Sequence, residues 1–133
     1  MKQAHGYIEC QFQWYNGWQG VFPIEEPLND RVRVFFAKLF DIDNQTALRP
    51  VAARRGLPSD LSEQAKQSPS YKPDEIFGES YVSFKEVQAV TRGHMSNPVN
   101  AIVDSMEKLV NTHGEHNVRL VVWFSDDGHS KSW

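Results

Sequence analysis

Residues 118–124 read VRLVVWF. Apart from Arg119 they are apolar at odd and even positions alike, so a strand built from them has no face to offer water. Such a strand sits inside a sheet and is covered by helices, with Trp123 in the core. Upstream, Val99, Ile102, Val103, Met106, Leu109 and Val110 recur at helical spacing. That stripe runs from Asn97-Pro98, a capping residue with proline at the first helical position, to Gly114, a helix stop.

Other elements follow from local rules. Ser83 and Glu86 match a capping box and predict a helix to about Val90. Val32, Phe35, Phe36, Leu39 and Phe40 predict a helix capped by Asn29 or Asp30. From Tyr7 to Tyr15, Ile8, Cys10, Phe12 and Trp14 alternate with Glu9, Gln11 and Gln13, the pattern of a strand with one wet face. Asn16-Gly17 suits a tight turn, and Trp18 to Phe22 returns as a short strand that Pro23 stops. Ser59, with Ser62-Glu63 three residues on, resembles the start of a short helix with Leu61 and Ala65 as its apolar anchors. Residues 41–58 and 68–80 lack a period and read as long surface loops, and 126–133 as a polar tail. No repeat is visible, and helices and strands do not alternate often enough for a doubly wound parallel sheet. The expected architecture over 1–133 is a single α+β domain, a small, mainly antiparallel sheet packed against about three to four helices.

The chain has 133 residues, enough for a core without staples. Seventeen acidic and fourteen basic residues give a net charge of -3, which argues against a duplex-binding surface, since such surfaces depend on many phosphate contacts. Cys10 is the single cysteine and can form no internal disulfide; on an apolar strand face it reads as a small buried hydrophobe. No apolar run approaches the length of a membrane span, and the N-terminus lacks a signal core, so the expected location is the cytoplasm.

Candidate sites are few. Arg49, Arg54 and Arg55, with Arg31 and Arg33 possible neighbours, could clamp a phosphate or carboxylate through forked guanidinium donors, helped by the amides of a helix starting near Ser59. The alternative is that Arg54 or Arg55 pairs with Asp41, Asp43, Asp60 or Glu63 and pins the loop. Tyr15 and Trp18, if exposed at the hairpin tip, would form a stacking platform for a base or an anchor for a partner protein; otherwise they cover one end of the core. His113 and His116 are the only closely spaced histidines, and Gly114 breaks the helix between them, so neither a metal site nor another cofactor is expected, and the five histidines read as exposed. P-loop, HExxH and G-x-S-x-G patterns are absent, and no acid–base pair or catalytic residue is assigned.

Several of these segments together resemble a group of short uncharacterised proteins of bacteria and their phages. The likeness lies in the opening strand with Trp14, the RVRVFFAKLF helix with Arg31, Phe35, Phe36 and Leu39, the RRGLPSDLS loop and the closing VRLVVWF strand. It spans most of the chain, and RGLP-x-D-x-S is its most specific part. Related sequences carry a His-Ser element after this loop, where this chain has GESYVSF. The resemblance implies a similar fold and brings no established activity with it.

Three functional readings stand at this point. The first is a non-enzymatic binding module, phage- or mobile-element-encoded and of an anti-defence type, that engages a host protein or sequesters an anionic nucleotide-like ligand through Arg49, Arg54 and Arg55. The second is an enzyme on nucleotide or phosphoester substrates, which needs a histidine within reach of Arg54 and Arg55. The third is a homo-oligomeric structural subunit.

Overall fold

The computed structural model describes residues 2–42, 49–91 and 96–126. Its elements are β1 (Lys2–Gln11), β2 (Trp18–Pro27), α1 (Arg33–Phe40), α2 (Glu63–Lys66), β3 (Phe77–Ser83), α3 (Phe84–Val90), α4 (Asn97–His113), a 3-10 turn (Glu115–Asn117) and β4 (Val118–Asp126). The four strands form one antiparallel sheet in the order β2-β1-β4-β3. The fold is α+β, as VRLVVWF predicts. β4 has a strand on each side and is buried at every position before Asp126.

Alternation along β4 divides the core in two. Val118, Leu120, Val122 and Phe124 join Ile8 and Cys10 of β1 and pack against Phe35, Phe36, Leu39 and Phe40 of α1, Val87 of α3, and Val99, Ile102 and Met106 of α4. Val121 and Trp123 point the other way, onto Leu57, Leu61, Ala65, Tyr71 and Ile76. The segment from 57 to 76, sparse in regular structure, is therefore the second layer of the domain. Burial on both sides explains why an all-apolar strand is favourable here.

The predicted helices hold in outline, with three differences at their starts. Ser83 and Glu86 make the full capping box, and α4 stops at Gly114, but its cap position is Ser96, so Asn97 is the first helical residue and not the cap. α1 begins at Arg33 after Val32, and Asn29 instead accepts from the Arg31 amide, closing the turn that precedes the helix. α2 is short, as expected, but it starts later than Ser59: its cap is Ser62, whose hydroxyl accepts from the Ala65 amide.

The strands differ more. β1 runs from Lys2 to Gln11, where Tyr7–Tyr15 was predicted, and its second face is not wet, since His5 and Glu9 are buried. β2 continues through Pro23 to Pro27. It is an edge strand, and an edge needs ladder amides on one side only, so proline does not end it. β3 spans Phe77–Ser83, so its first four residues fall in the predicted 68–80 loop. Its pattern was hidden by Gly78, which has φ +67° and sits where the pairing register shifts between Phe77 and Ser80. A Cβ there would lie 2.9 Å from the Phe124 ring. The predicted 41–58 loop is irregular where described, yet Ala52 is buried and bonds the Leu39 carbonyl through its amide and the Ser80 hydroxyl through its carbonyl. The predicted tail lies, beyond Asp126, outside the described residues.

One glycine controls the central pairing. Gly6 on β1 has φ +153°, and a Cβ there would fall 2.0 Å from the Val121 carbonyl oxygen of β4. Gly6→Ala is expected to cost at least about 3 kcal/mol, because the neighbour that must move is backbone of the central strand. The midpoint of urea unfolding measures this.

Candidate functional site

The second face of the sheet carries polar groups at each end of an apolar strip. At one end Glu9 of β1 lies opposite Arg119 of β4, and Glu9 is wholly buried. Arg119 Nε donates to Glu9 Oε1 at 2.7 Å, and the Ser62 amide donates to Glu9 Oε2 at 2.8 Å. Arg119 Nη1 reaches Asp60 Oδ1 at 2.9 Å and Nη2 the Asp60 carbonyl at 3.2 Å, while the guanidinium lies 3.9 Å from the Trp18 ring centre. Each buried charge thus has a partner and hydrogen bonds, the condition under which a buried ion pair is tolerated. Asp60 and Ser62, the polar members of the RGLP-x-D-x-S segment, dock that segment onto the sheet. Burial tends to push the Asp60 carboxyl up, but the Arg119 hydrogen bond and charge outweigh it and hold the group below its ordinary value.

The predicted arginine clamp meets a different arrangement. Arg55 Nη1 donates to Glu86 Oε1 at 2.9 Å and to the Tyr81 carbonyl at 3.2 Å, and Nη2 donates to Glu86 Oε2 at 2.6 Å and to the Val51 carbonyl at 3.2 Å. A guanidinium has five N–H donors, so both prongs of its fork are occupied before any ligand arrives. The carboxylate partner is Glu86 of the capping box, whereas Asp60 bonds Arg119 and Glu63 pairs with Lys66; Asp43 lies outside the described residues. Hydrogen bonding from Arg55 holds the Glu86 carboxyl below the usual range, and the same bond raises Arg55. Arg49 and Arg54 are exposed, Arg54 with a left-handed backbone at φ 57°.

Arg55 borders a cleft of about 270 Å³ with Trp18, Tyr81, Glu86, His116 and Arg119. Arg55 lies over the Tyr81 ring at 5.8 Å. Neither Arg49 nor Arg54 lines this cleft, whereas Glu86 and Glu115 do, so an anion entering it would meet two carboxylates beside two guanidinium groups that already have partners. His116 lines the same cleft as Arg55.

Trp18 and Tyr15 belong to separate surfaces. Trp18 covers Arg119, whereas Tyr15 lies on the connection between β1 and β2, beside Trp14. Trp14 is 77% exposed and Tyr15 47%. Trp14 stacks on Phe12 at 4.9 Å, and His113 at the end of α4 meets both rings edge-on, at 4.7 Å from Phe12 and 6.0 Å from Trp14. An open groove of about 520 Å³ runs between Phe12, Trp14 and Tyr15 and the amides of Gln11, Gln13, Asn16 and Asn117, and among the described residues no charged side chain lines it. Comparison with protein-family models, curated proteins and solved structures yields no match.

At the far end of the strip stands a group the sequence did not point to. His5 is 6% exposed, in contrast to the exposed imidazole expected, and is held between Glu25 of β2 and Ser125 of β4. Only the strand register brings these together, since they are 20 and 120 residues from His5 in the chain. Cys10 is buried, and burial pushes its thiol above the ordinary value, away from nucleophile chemistry. Among the described residues no three His, Cys, Asp or Glu side chains are placed to hold a metal ion, and no helix is long and apolar enough to cross a membrane.

The two arginine pairs are expected to differ in weight. Arg119→Ala strands a buried carboxylate and should cost about 3–5 kcal/mol. Arg55→Ala, at a pair about one-third exposed, should cost about 1 kcal/mol. Folding depresses the Glu86 carboxyl, so its pairing stabilises the protein above the ordinary carboxylate range near about pH 4.3 and that stability is lost as pH falls through the depressed value. Urea titrations should therefore show a shallower acid loss of stability in Arg55→Ala than in wild type.

Proposed function

We propose that this chain is a binding module whose contact surface is the β1–β2 hairpin end and whose partner is a protein. The observation that carries this reading is Trp14, 77% exposed yet braced by Phe12 and His113. A large aromatic group held in place before binding loses little freedom on contact, which is why such residues dominate interface energetics. Tyr15 extends the apolar surface, and the surrounding amides can both donate to and accept from a partner's backbone.

A nucleic-acid strand would also stack on these rings, but it brings phosphates that need cationic partners, and among the described residues that line the groove there is no lysine or arginine. The anionic-ligand reading, centred on Arg49, Arg54 and Arg55, has weaker support because Arg55 already holds Glu86. The likeness to the bacterial and phage group makes a bacterial host protein the first partner to seek, and the lone cysteine suits a cytoplasmic location.

The test is affinity capture from bacterial lysate with wild type, Trp14→Ala and Val34→Ala, an exposed change on α1 that serves as control. A protein retained by wild type and Val34→Ala should bind Trp14→Ala roughly 30-fold more weakly, the loss typical of a central aromatic anchor. Equal retention by all three would end the proposal. A Trp14-dependent dimer in sedimentation would favour a second copy over a foreign partner.

A further inference from the structure

We infer that Ser125, His5 and Glu25 form a catalytic site, at the other end of the sheet from the hairpin surface and independent of it, that hydrolyses esters of short acyl groups. Three adjacent strands each supply one member. His5 on β1 is the register partner of Glu25 on β2 and of Trp123 on β4, and Ser125 lies two residues beyond Trp123 on the same face. Glu25 Oε2 is 2.5 Å from His5 Nδ1, and Ser125 Oγ is 2.7 Å from His5 Nε2.

The hydrogen-bond directions follow from the chemistry of the groups. An ionised carboxylate can only accept, so Nδ1 of the neutral imidazole carries the hydrogen and donates to Glu25. Nε2 is then a lone pair, and the Ser125 hydroxyl donates to it. This is the tautomer in which imidazole can act as a general base toward serine, with the carboxylate holding the ring and stabilising the cation that forms. The sequence carries no G-x-S-x-G elbow because this serine lies on a strand, and triads are recognised by geometry and not by position in the chain.

The group also faces open space. His5 and Ser125 line a cavity of about 140 Å³ together with Ser70, Lys72, Glu75 and Ile76. One water occupies about 30 Å³ of the liquid, so the space suits a fragment of a few heavy atoms, such as an acetyl or propionyl group. Ile76 provides an apolar wall for the acyl carbon, and Lys72, in an exposed 3.8 Å ion pair with Glu75, is the cationic group on the cavity wall. Trp123 Nε1 donates to Ser70 Oγ at 3.2 Å and so ties the cavity wall to the central strand.

In the reaction, Ser125 Oγ bonds to the acyl carbonyl carbon, its proton passes to His5 Nε2, and the carbonyl pair moves onto oxygen. Collapse breaks the bond to the alcohol oxygen, which takes the proton from His5 Nε2. Water then attacks the acyl-serine, gives one proton to His5, and releases the carboxylic acid as that proton returns to Ser125 Oγ. Ester and water become acid and alcohol, with no other reactant.

The experiment combines labelling by a fluorophosphonate probe, mapped by mass spectrometry, with release of p-nitrophenol from its acetate and octanoate esters by the full chain. The expected result is a label on Ser125, faster hydrolysis of acetate than octanoate, and loss of at least about 100-fold in Ser125→Ala and about 10-fold in Glu25→Gln, with near-ultraviolet circular dichroism unchanged. Glu25 has an exposed side chain, so Glu25→Gln carries the comparison if Ser125→Ala fails to fold. A wild type that neither labels nor hydrolyses, a label on another serine, or undiminished activity in a folded variant would overturn the proposal.

Discussion

The buried contact between Glu9 and Arg119 is the constraint around which the second half of the fold is arranged. A carboxylate with no exposure and a guanidinium nearly as buried are tolerable only when their remaining bonding capacity is met. Asp60 and the Ser62 amide, from one irregular segment, and the Trp18 ring of β2 meet it. The need to satisfy two charges therefore brings the irregular segment after Arg55 down onto the sheet and sets where α2 begins. The apolar contacts of Leu61 and Ala65 with Val121 and Trp123 then close the layer.

The two faces of the sheet differ in how they are covered, and this difference locates the chemistry. On one face α1, α3 and α4 enclose an apolar core rich in phenylalanine, with rings of Phe36, Phe40 and Phe124 in mutual contact. On the other a thin layer with a single helical turn leaves polar side chains at both ends of the apolar strip. Helices satisfy their own backbone and present apolar stripes, whereas an irregular segment supplies hydroxyls, carbonyls and carboxylates at close range. Most of the buried polar groups, His5, Glu9, Ser62, Arg119 and Ser125, accordingly gather on the thinly covered face.

Arginine reading from sequence illustrates the same point. Arg54 and Arg55 are adjacent and chemically identical, yet Arg55 is held by Glu86 and two carbonyls while Arg54 is exposed. Glu86 itself serves both the α3 cap and Arg55, so a residue assigned a local role by its spacing also has a tertiary one. Trp18 and Tyr15 are three residues apart and end on different surfaces, one over Arg119 and one beside Trp14.

The sequence by itself determined the α+β class, the central position of β4, the apolar stripes of α1 and α4 and the caps of α3, because these depend on periodicity and on contacts a few residues apart. Only the tertiary structure decided that Glu9 and His5 are buried, that β2 passes through Pro23, that Phe77–Ser83 is a strand, and that Arg55 has a carboxylate partner. Each of these depends on a group at least twenty residues away: Arg119 for Glu9, Glu25 and Ser125 for His5, the free edge for Pro23, β4 for β3, Glu86 for Arg55. A polar residue is wet or dry according to the partner the fold brings to it, and that partner has no signature in the local pattern.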